Sequence, residues 1–182
     1  MYTKHFYNCS MFSVSMHIDD VPDVLYRLAN TLGIEKRPDG SFSYKNLSEA
    51  PVVLCFTVYE NELLLVKRSE LVTGLRGRWH IVSGYLDEYN TLRYGALKEL
   101  REEVTITEEH IKDMYSLPSF ALTGEHKLLH MHPVVVDLKI KPDIVLNWEN
   151  TAYAWTKKED IEQYNTVPFI KSTLDALVNV RQ

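Results

Sequence analysis

The chain has few cysteines, no long apolar run and no excess of positive charge, and each absence excludes a class of protein. Only Cys9 and Cys55 occur in 182 residues, so a disulfide framework and a cysteine-rich zinc site are excluded, and a reduced, cytoplasmic setting is favoured. No stretch approaches the ~18 apolar residues of a membrane span. The net charge of −5 offers no broad basic surface for nucleic acid.

The chain does contain an ordinary globular composition, with 45% hydrophobic and 25% charged residues, enough to bury one sizeable core. Polar, turn-rich sequence before Pro51 places a boundary near residue 50. We therefore divide the chain into an N-terminal β–α extension, residues 1–50, and a main domain, residues 51–182.

Local patterns predict the elements of the extension. The alternation of apolar and polar residues in MFSVSMHI (11–18) predicts a strand. Leucines at helical spacing, Leu25, Leu28 and Leu32, predict a helix that stops at Gly33. The sequence RPDGS (37–41) predicts a turn.

The main domain alternates β-rich runs with helical patterns. Residues 51–69 read as a hairpin around Glu60-Asn61, with Asn61 suited to a positive φ. Further strands are predicted at 111–117, 128–140 and 152–156, with Pro133 at the start or the edge of its strand. A helix is predicted from about Thr91 to Val104 with Asn90 as its cap, and capping signals at 156–159 and at Thr166 open two C-terminal helices. This mixture indicates an α+β fold, an α/β/α sandwich around a mixed sheet.

The central helix carries an unusual acidic stretch, KELREE (98–103). At 100° per residue, Glu99, Glu102 and Glu103 share one arc about 100° wide, beside the apolar Leu97, Leu100 and Val104. Glu99 and Glu103 repel each other at i, i+4, and the last two carboxylates oppose the helix dipole. A solvated acidic face explains this cluster as well as a magnesium site does, and the spacing alone leaves both open.

Residues on both sides of KELREE extend the pattern. Gly84 begins a segment that runs through KELREE to Ile106, and it is flanked by GRWHIVSGYLDE (77–88), LLLVKRS (63–69) and LNWENTAYAWTKKEDI (146–161). Together these sequences, over roughly residues 50–180, resemble the Nudix hydrolase family. The family motif has a glycine, five residues, a glutamate, seven residues, then Arg-Glu-apolar-any-Glu-Glu followed by any residue, glycine and an apolar residue, and the segment from Gly84 to Ile106 follows this spacing without a gap.

The resemblance implies a mixed, curved sheet with the motif helix and the C-terminal helices packed on it. It also implies hydrolysis of a nucleoside diphosphate linked to another group, with Mg²⁺, or Mn²⁺ in its place, as cofactor. Metal ligands would be Glu99, Glu102, Glu103 and the carbonyl of Ser83. Catalytic residues would be the same three glutamates and Glu125, with Glu99 and Glu125 as alternatives for the general base. Arg68 and Arg78 would contact phosphates. A small nucleotide is the expected partner, without nucleic acid or membrane, and a homodimer is left open.

Three departures from the motif leave the activity open. Asn90, Lys98 and Thr105 replace the family's first glutamate, its arginine and its last glycine. Lysine keeps the charge of arginine but not its fork of donors. We slightly prefer ADP-ribose or a nucleotide sugar over a (deoxy)nucleoside triphosphate as substrate. The alternatives are a nucleotide sensor that does not cleave and, ranked last, an isoprenoid diphosphate isomerase, for which Cys55 lies in a predicted buried strand.

Overall fold

The computed structural model describes residues 9–11, 16–31, 34–123, 127–171 and 173–174. Within these ranges nine strands form one sheet, and two form a separate pair. The pair is β2 (Glu35–Lys36) and β3 (Phe42–Ser43), and the strands of the large sheet are β1 (Cys9–Met11), β4 (Glu49–Tyr59), β5 (Glu62–Arg68), β6 (Trp79–His80), β7 (Val82–Tyr85), β8 (Ile111–Ser116), β9 (Phe120–Thr123), β10 (Leu128–Leu138) and β11 (Asn150–Lys157). The central order of the large sheet is β1-β9-β10-β4-β5-β11, and β6, β7 and β8 pair with β5, β4 and β10. The sheet is mixed, as predicted, because β4 and β10 are parallel while their other neighbours are antiparallel.

Strand β4 separates two apolar clusters, which makes the fold a sandwich. Its residues Val53 and Cys55 pack with helix α2 (Leu92–Val104) and with the N-terminal helix α1 (Asp23–Thr31). On the other face, Leu54 and Phe56 pack against Ile170 near the C-terminus. Since alternate side chains of a strand point to opposite faces, a continuous apolar strand such as β4 needs a cover on both.

The predicted hairpin is confirmed, with one correction. Strands β4 and β5 pair as Val58 with Leu63 and Tyr59 with Glu62. The positive φ of the turn falls on Glu60, at 54°, and not on Asn61. The side chain of asparagine tolerates this region well, but the register of the strands decides which residue must adopt it.

Pro133 lies inside β10 and not at its start or at a sheet edge. On one side β10 pairs with β4 throughout. On the other side it pairs with β9 up to Met131 and with β8 from Val134. Pro133 occupies the gap between these two partners, where its carbonyl accepts from the Leu117 N–H at 2.9 Å. A missing N–H is tolerated where the ladder changes strands.

The N-terminal extension packs on the same cluster as α2. Leu25 and Leu28 of α1 are fully buried there, as their spacing predicts. The turn at 37–41 connects β2 (Glu35–Lys36) to β3 (Phe42–Ser43), and Gly40 takes a φ of 90°. Of the strand predicted at 11–18, Met11 ends β1, residues 12–15 are not described, and residues 16–18 are not in a strand.

The C-terminal part follows the prediction in outline. Residues Lys158–Gln163 form a 3-10 turn whose cap is Lys157, without the side-chain bond expected from Thr156. Residues 169–171 and 173–174 are helical, and Ile170 and Leu174 are buried. Among the described helices, none combines the length and the apolar character needed to cross a membrane.

Candidate metal and catalytic site

Helix α2 is fixed by a buried stripe and by caps at both ends. Four fully buried side chains recur at every fourth position: Leu92, Ala96, Leu100 and Val104. The N-cap is Thr91, whose hydroxyl accepts the Tyr94 N–H at 3.2 Å, and not the predicted Asn90. Thr105 ends the helix in the left-handed region at a φ of 61°, a conformation that glycine adopts without strain.

The three motif carboxylates occupy three different environments. Glu102 is exposed, Glu99 is partly buried, and Glu103 is only 2% exposed. A single solvated face does not describe this helix, because a charged side chain is almost never fully buried without partners. The acidic stretch therefore has one carboxylate in the interior and one in solvent.

Glu103 is held by two neutral donors. The Ser83 backbone N–H donates to Oε1 at 3.1 Å, and the Asn150 side-chain amide donates to Oε2 at 2.7 Å. Burial nevertheless raises the pKa of Glu103 to about 7, against the lowering effect of these two hydrogen bonds. Charge compensation from the protein is thus incomplete at Glu103.

Glu99 lies directly over Gly84, the first residue of the motif. A Cβ atom at Gly84 would clash with the Glu99 carboxylate, so a side chain at this position would displace the carboxylate from where it lies. Burial, and then repulsion from Glu103 and Glu102, raise the pKa of Glu99 to about 8. Burial, and then repulsion from Glu99 and Glu103, also raise the pKa of the Cys55 thiol.

These residues suit a hard divalent cation by their chemistry. Two neighbouring carboxylates whose proton affinity is raised by burial and mutual repulsion would both be stabilised by a cation. Carboxylate oxygens are also the ligands that Mg²⁺ prefers. Within the described part of the chain, however, no three His, Cys, Asp or Glu side chains already form a metal-binding cluster. A bound ion would have to recruit further ligands, such as the exposed Glu102, a backbone carbonyl or water.

Lys98, in the place of the motif arginine, is paired with the preceding loop. Its ammonium lies 2.7 Å from Asp87 and 2.9 Å from Glu88. Partial burial lowers the pKa of Lys98, but the hydrogen bonds to Asp87 and Glu88 outweigh burial and raise it above its ordinary value. Asn90 accepts the Thr91 N–H at 2.9 Å through its side chain.

The two arginines predicted to bind phosphate differ in their surroundings. Burial lowers the pKa of Arg68, against the opposing effect of the nearby Glu103 and Glu149, and its Nε donates to the Gly74 carbonyl at 2.8 Å. Arg78 contacts the C-terminal segment, through the Thr166 carbonyl at 3.2 Å and Asn165 at 3.3 Å. The structure brings Arg68 near Glu103 and Glu149 and ties Arg78 to the C-terminal segment.

Glu125, the alternative general base, is one of the residues that the structure does not describe. Two histidines lie in a different place from the motif. His130 bonds Glu49 at 2.8 Å, and His132 bonds Ser119 at 2.8 Å; both line a cavity beside α1 that no motif residue lines. Trp148 is 62% exposed.

Sequence reasoning missed the residues that hold the motif in place. Asn150 binds Glu103, and His80 lies 3.0 Å from Asn150. Arg37, in the extension, lies 3.1 Å from Asp87. The sequence signal for Asn150 and His80 is a polar residue at a buried strand position. A single sequence does not show that two residues 70 positions apart are in contact.

Comparison with known proteins places this geometry in a family. The family model described as NUDIX domain matches residues 49–177. The chain belongs to the Nudix family. It is accordingly a hydrolase of phosphoric anhydride bonds, and Nudix hydrolases use divalent metal ions. A search of curated proteins found no match.

Solved structures share the Nudix fold at low sequence identity. A MutT protein from Methanosarcina mazei Go1 has a TM-score of 0.62 and 20% identity, over 75% of this chain and 98% of that one. An Ap4A hydrolase from C. elegans has a TM-score of 0.60 and 18% identity, over 72% and 96%. The NUDIX domain of Shewanella oneidensis NrtR, solved with ADP ribose, has a TM-score of 0.64 and 14% identity, over 88% and 99%.

Proposed function

We propose that this Nudix protein is a Mg²⁺-dependent pyrophosphohydrolase of a nucleoside diphosphate linked to another moiety, with ADP-ribose or a nucleotide sugar preferred. The observation that carries the proposal is the enclosed pair Glu99 and Glu103. Both have a raised pKa, and no lysine or arginine among the described residues forms an ion pair with either carboxylate. When bound, Mg²⁺ would neutralise charge on the phosphate oxygens and acidify the attacking water.

The chain's own side chains divide the remaining work. Glu103 and Glu99 would hold the cation, and the exposed Glu102 would complete the carboxylate set, with the Ser83 carbonyl as a further ligand. A general base works best with a pKa near the working pH, which suits Glu99 at about 8; Glu125 remains the alternative. Arg68 stands beside Glu103 and Glu149, where its charge would attract a phosphate.

The preference for a nucleoside substrate is supported by an exposed tryptophan. Trp148 is preceded by Asn147, whose N–H donates to the Glu103 carbonyl at 3.1 Å, and followed two residues later by Asn150. An exposed indole on a segment that contacts Glu103 through both flanking asparagines is suited to stack on a base, which contributes ~1–3 kcal/mol. We expect Trp148→Ala to raise KM about 10-fold, a loss of ~1.4 kcal/mol, with kcat retained.

The preference for ADP-ribose rests on two weaker supports. The NrtR domain that was solved with ADP ribose is similar over 88% of this chain. The N-terminal extension also packs on the same apolar cluster as α2. It would provide an additional wall for a substrate larger than a mononucleotide. A nucleoside triphosphate is the next candidate.

The test is a substrate panel with matched charge variants. ADP-ribose, a nucleotide sugar, a dinucleoside polyphosphate and a deoxynucleoside triphosphate are assayed with Mg²⁺ and with Mn²⁺. Glu102→Gln and Glu103→Gln should each lower turnover by on the order of 100-fold. The control is Glu109→Gln, an exposed glutamate outside the motif, which should leave turnover unchanged. Unchanged turnover in both motif variants would overturn the metal assignment.

A sensor that binds without cleaving is the second candidate, and the position of Lys98 favours it. The family arginine is replaced by a lysine whose bonds go to Asp87 and Glu88, so the motif helix lacks the usual fork of donors. Tight calorimetric binding of one nucleotide, without metal-dependent turnover across the panel, would decide for the sensor.

A further inference from the structure

Three buried side chains from three elements form a hydrogen-bonded chain that ends on Glu103. Asn150, at the start of β11, is 5% exposed, and His80, in β6, is 4% exposed. The His80 Nε2 lies 3.0 Å from the Asn150 Oδ1, and the Asn150 Nδ2 lies 2.7 Å from the Glu103 Oε2. We call this His80–Asn150–Glu103 series the Glu103 chain.

When Glu103 is ionised, as cation binding requires, elementary hydrogen-bond chemistry fixes the direction of each bond. An ionised carboxylate only accepts, so the Asn150 amide must turn its NH₂ group to Glu103 and its oxygen to His80. The oxygen can only accept, and the His80 Nε2 must therefore carry a proton. Burial lowers the pKa of His80 to about 4, so the ring is neutral near pH 7 and its single proton is on Nε2.

The bonds leave Glu103 able to bind a cation. Each carboxylate oxygen accepts one hydrogen bond, from Ser83 or from Asn150, and retains a second lone pair. With its two oxygens held from β7 and β11, the carboxylate plane has little freedom to rotate. A ligand held in one orientation loses less entropy on binding than a free one.

We propose that Asn150 and His80 are positioning residues, which hold the Glu103 carboxylate in the orientation that binds the divalent cation. This inference rests on the metal role proposed for Glu103. Asn150 acts directly on the carboxylate, and His80 acts through Asn150 by keeping the amide from turning over. Neither side chain touches the substrate or the cation.

A purely structural role predicts a different pattern from a positioning role. Removing any buried hydrogen-bonding group costs stability, so a lower melting temperature distinguishes nothing. A positioning role predicts that variants which lack the donor still fold but bind the cation more weakly. It also predicts that a replacement of His80 that keeps an N–H donor preserves binding.

The experiment measures Mn²⁺ binding to the substrate-free protein by electron paramagnetic resonance. Asn150→Leu and His80→Leu remove their donors and should weaken binding by about 10- to 100-fold, the usual effect of losing a group that orients a ligand. His80→Gln keeps a donor and should stay within about 3-fold of the unchanged protein. Thr151→Val, at the exposed next position of β11, is the control and should not alter binding.

The outcomes separate this inference from the proposed function. Glu103→Gln is measured in parallel, and unchanged Mn²⁺ affinity in that variant would overturn the metal role itself. If Glu103→Gln weakens binding but folded Asn150→Leu and His80→Leu do not, positioning is overturned. If Asn150→Leu does not fold, the pair His80→Leu and His80→Gln decides, because equal affinity of these two variants contradicts the inference.

Enzyme turnover gives a second readout. In the donor-less variants we expect the Mg²⁺ concentration for half-maximal rate to rise, and the rate to recover as Mg²⁺ is increased. A rate defect that saturating Mg²⁺ leaves untouched would contradict positioning of a metal ligand.

Discussion

The two sides of helix α2 balance their charges in opposite ways. On the Glu103 side, the hydrogen bonds that the described residues make to the buried carboxylate come from neutral donors, Ser83 and Asn150. On the Lys98 side, Lys98 and Arg37 pair with Asp87, and Lys98 also pairs with Glu88. One side keeps negative charge that an added cation would offset, and the other uses ion pairs to hold a loop. The difference indicates that the Glu103 side of the helix is suited to bind a cation and that the Lys98 side stabilises the fold.

The largest expected effect is a pH dependence that comes from the Glu103 side. In metal-free protein Glu99 and Glu103 have pKa values of about 8 and about 7, above the ordinary 4.5. The folded state therefore binds more protons than the unfolded state above pH 4.5, and stability falls as pH rises through 7 and 8. Between pH 6.5 and 9 we expect a loss on the order of 2–3 kcal/mol in the free energy of unfolding.

Chemical denaturation in the presence of a chelator measures this loss. The window above pH 6.5 avoids the opposite effect of the buried His80 and His132, whose pKa values of about 4 make stability rise with pH only up to about 6.5. Glu99→Gln should flatten the profile, and saturating Mg²⁺ should restore stability at pH 9. A flat profile in the unchanged protein would contradict the charge imbalance.

A smaller effect is expected from breaking the Lys98 side. Lys98→Met leaves Asp87 and Glu88 without their partner at a site where the Lys98 and Asp87 side chains are only 18% exposed. We expect a loss of about 2 kcal/mol in unfolding free energy. Arg37, at 43% exposure, is more screened by solvent, so Arg37→Met should cost less than about 1 kcal/mol.

Urea denaturation of both variants tests the order of these effects. Lys98→Arg is the matched control, since it keeps the charge and should change stability by less than about 1 kcal/mol. Equal losses of unfolding free energy in Lys98→Met and Arg37→Met would show that the greater burial of the Lys98 pair does not increase its contribution to stability.

The smallest effect concerns the end of α2 and should be stabilising. Thr105 holds a φ of 61°, a region that costs a branched residue ~1–2 kcal/mol. Thr105→Gly relieves this cost but loses the hydroxyl contact that receives the Val145 N–H at 3.3 Å, for a net gain of about 1 kcal/mol. Thr107→Gly, at an extended φ of −120°, should give no gain in melting temperature.

Much of this organisation could be predicted from the sequence because it depends on local patterns. The hairpin at 60–61, helix α2 and the strands β8, β10 and β11 follow from apolar periodicity and turn residues, and their existence is confirmed. The predictions for single residues in turns and caps were wrong at two positions: Glu60 and Thr91 take the roles predicted for Asn61 and Asn90. Asparagine favours both positions by its local chemistry, but the strand register selects the turn residue and the packing of the helix selects the cap.

The sequence by itself determined the family, through the spacing from Gly84 to Ile106, and it determined which helix carries the carboxylates. Only the tertiary structure decided how those carboxylates differ, because burial depends on what the rest of the chain places around each one. Asn150 and His80 come from strands 47 and 23 residues away from Glu103, and Arg37 comes from the N-terminal extension. Folding brings these groups to α2, where low dielectric and hydrogen bonding give each acidic side chain a different affinity for protons and for metal.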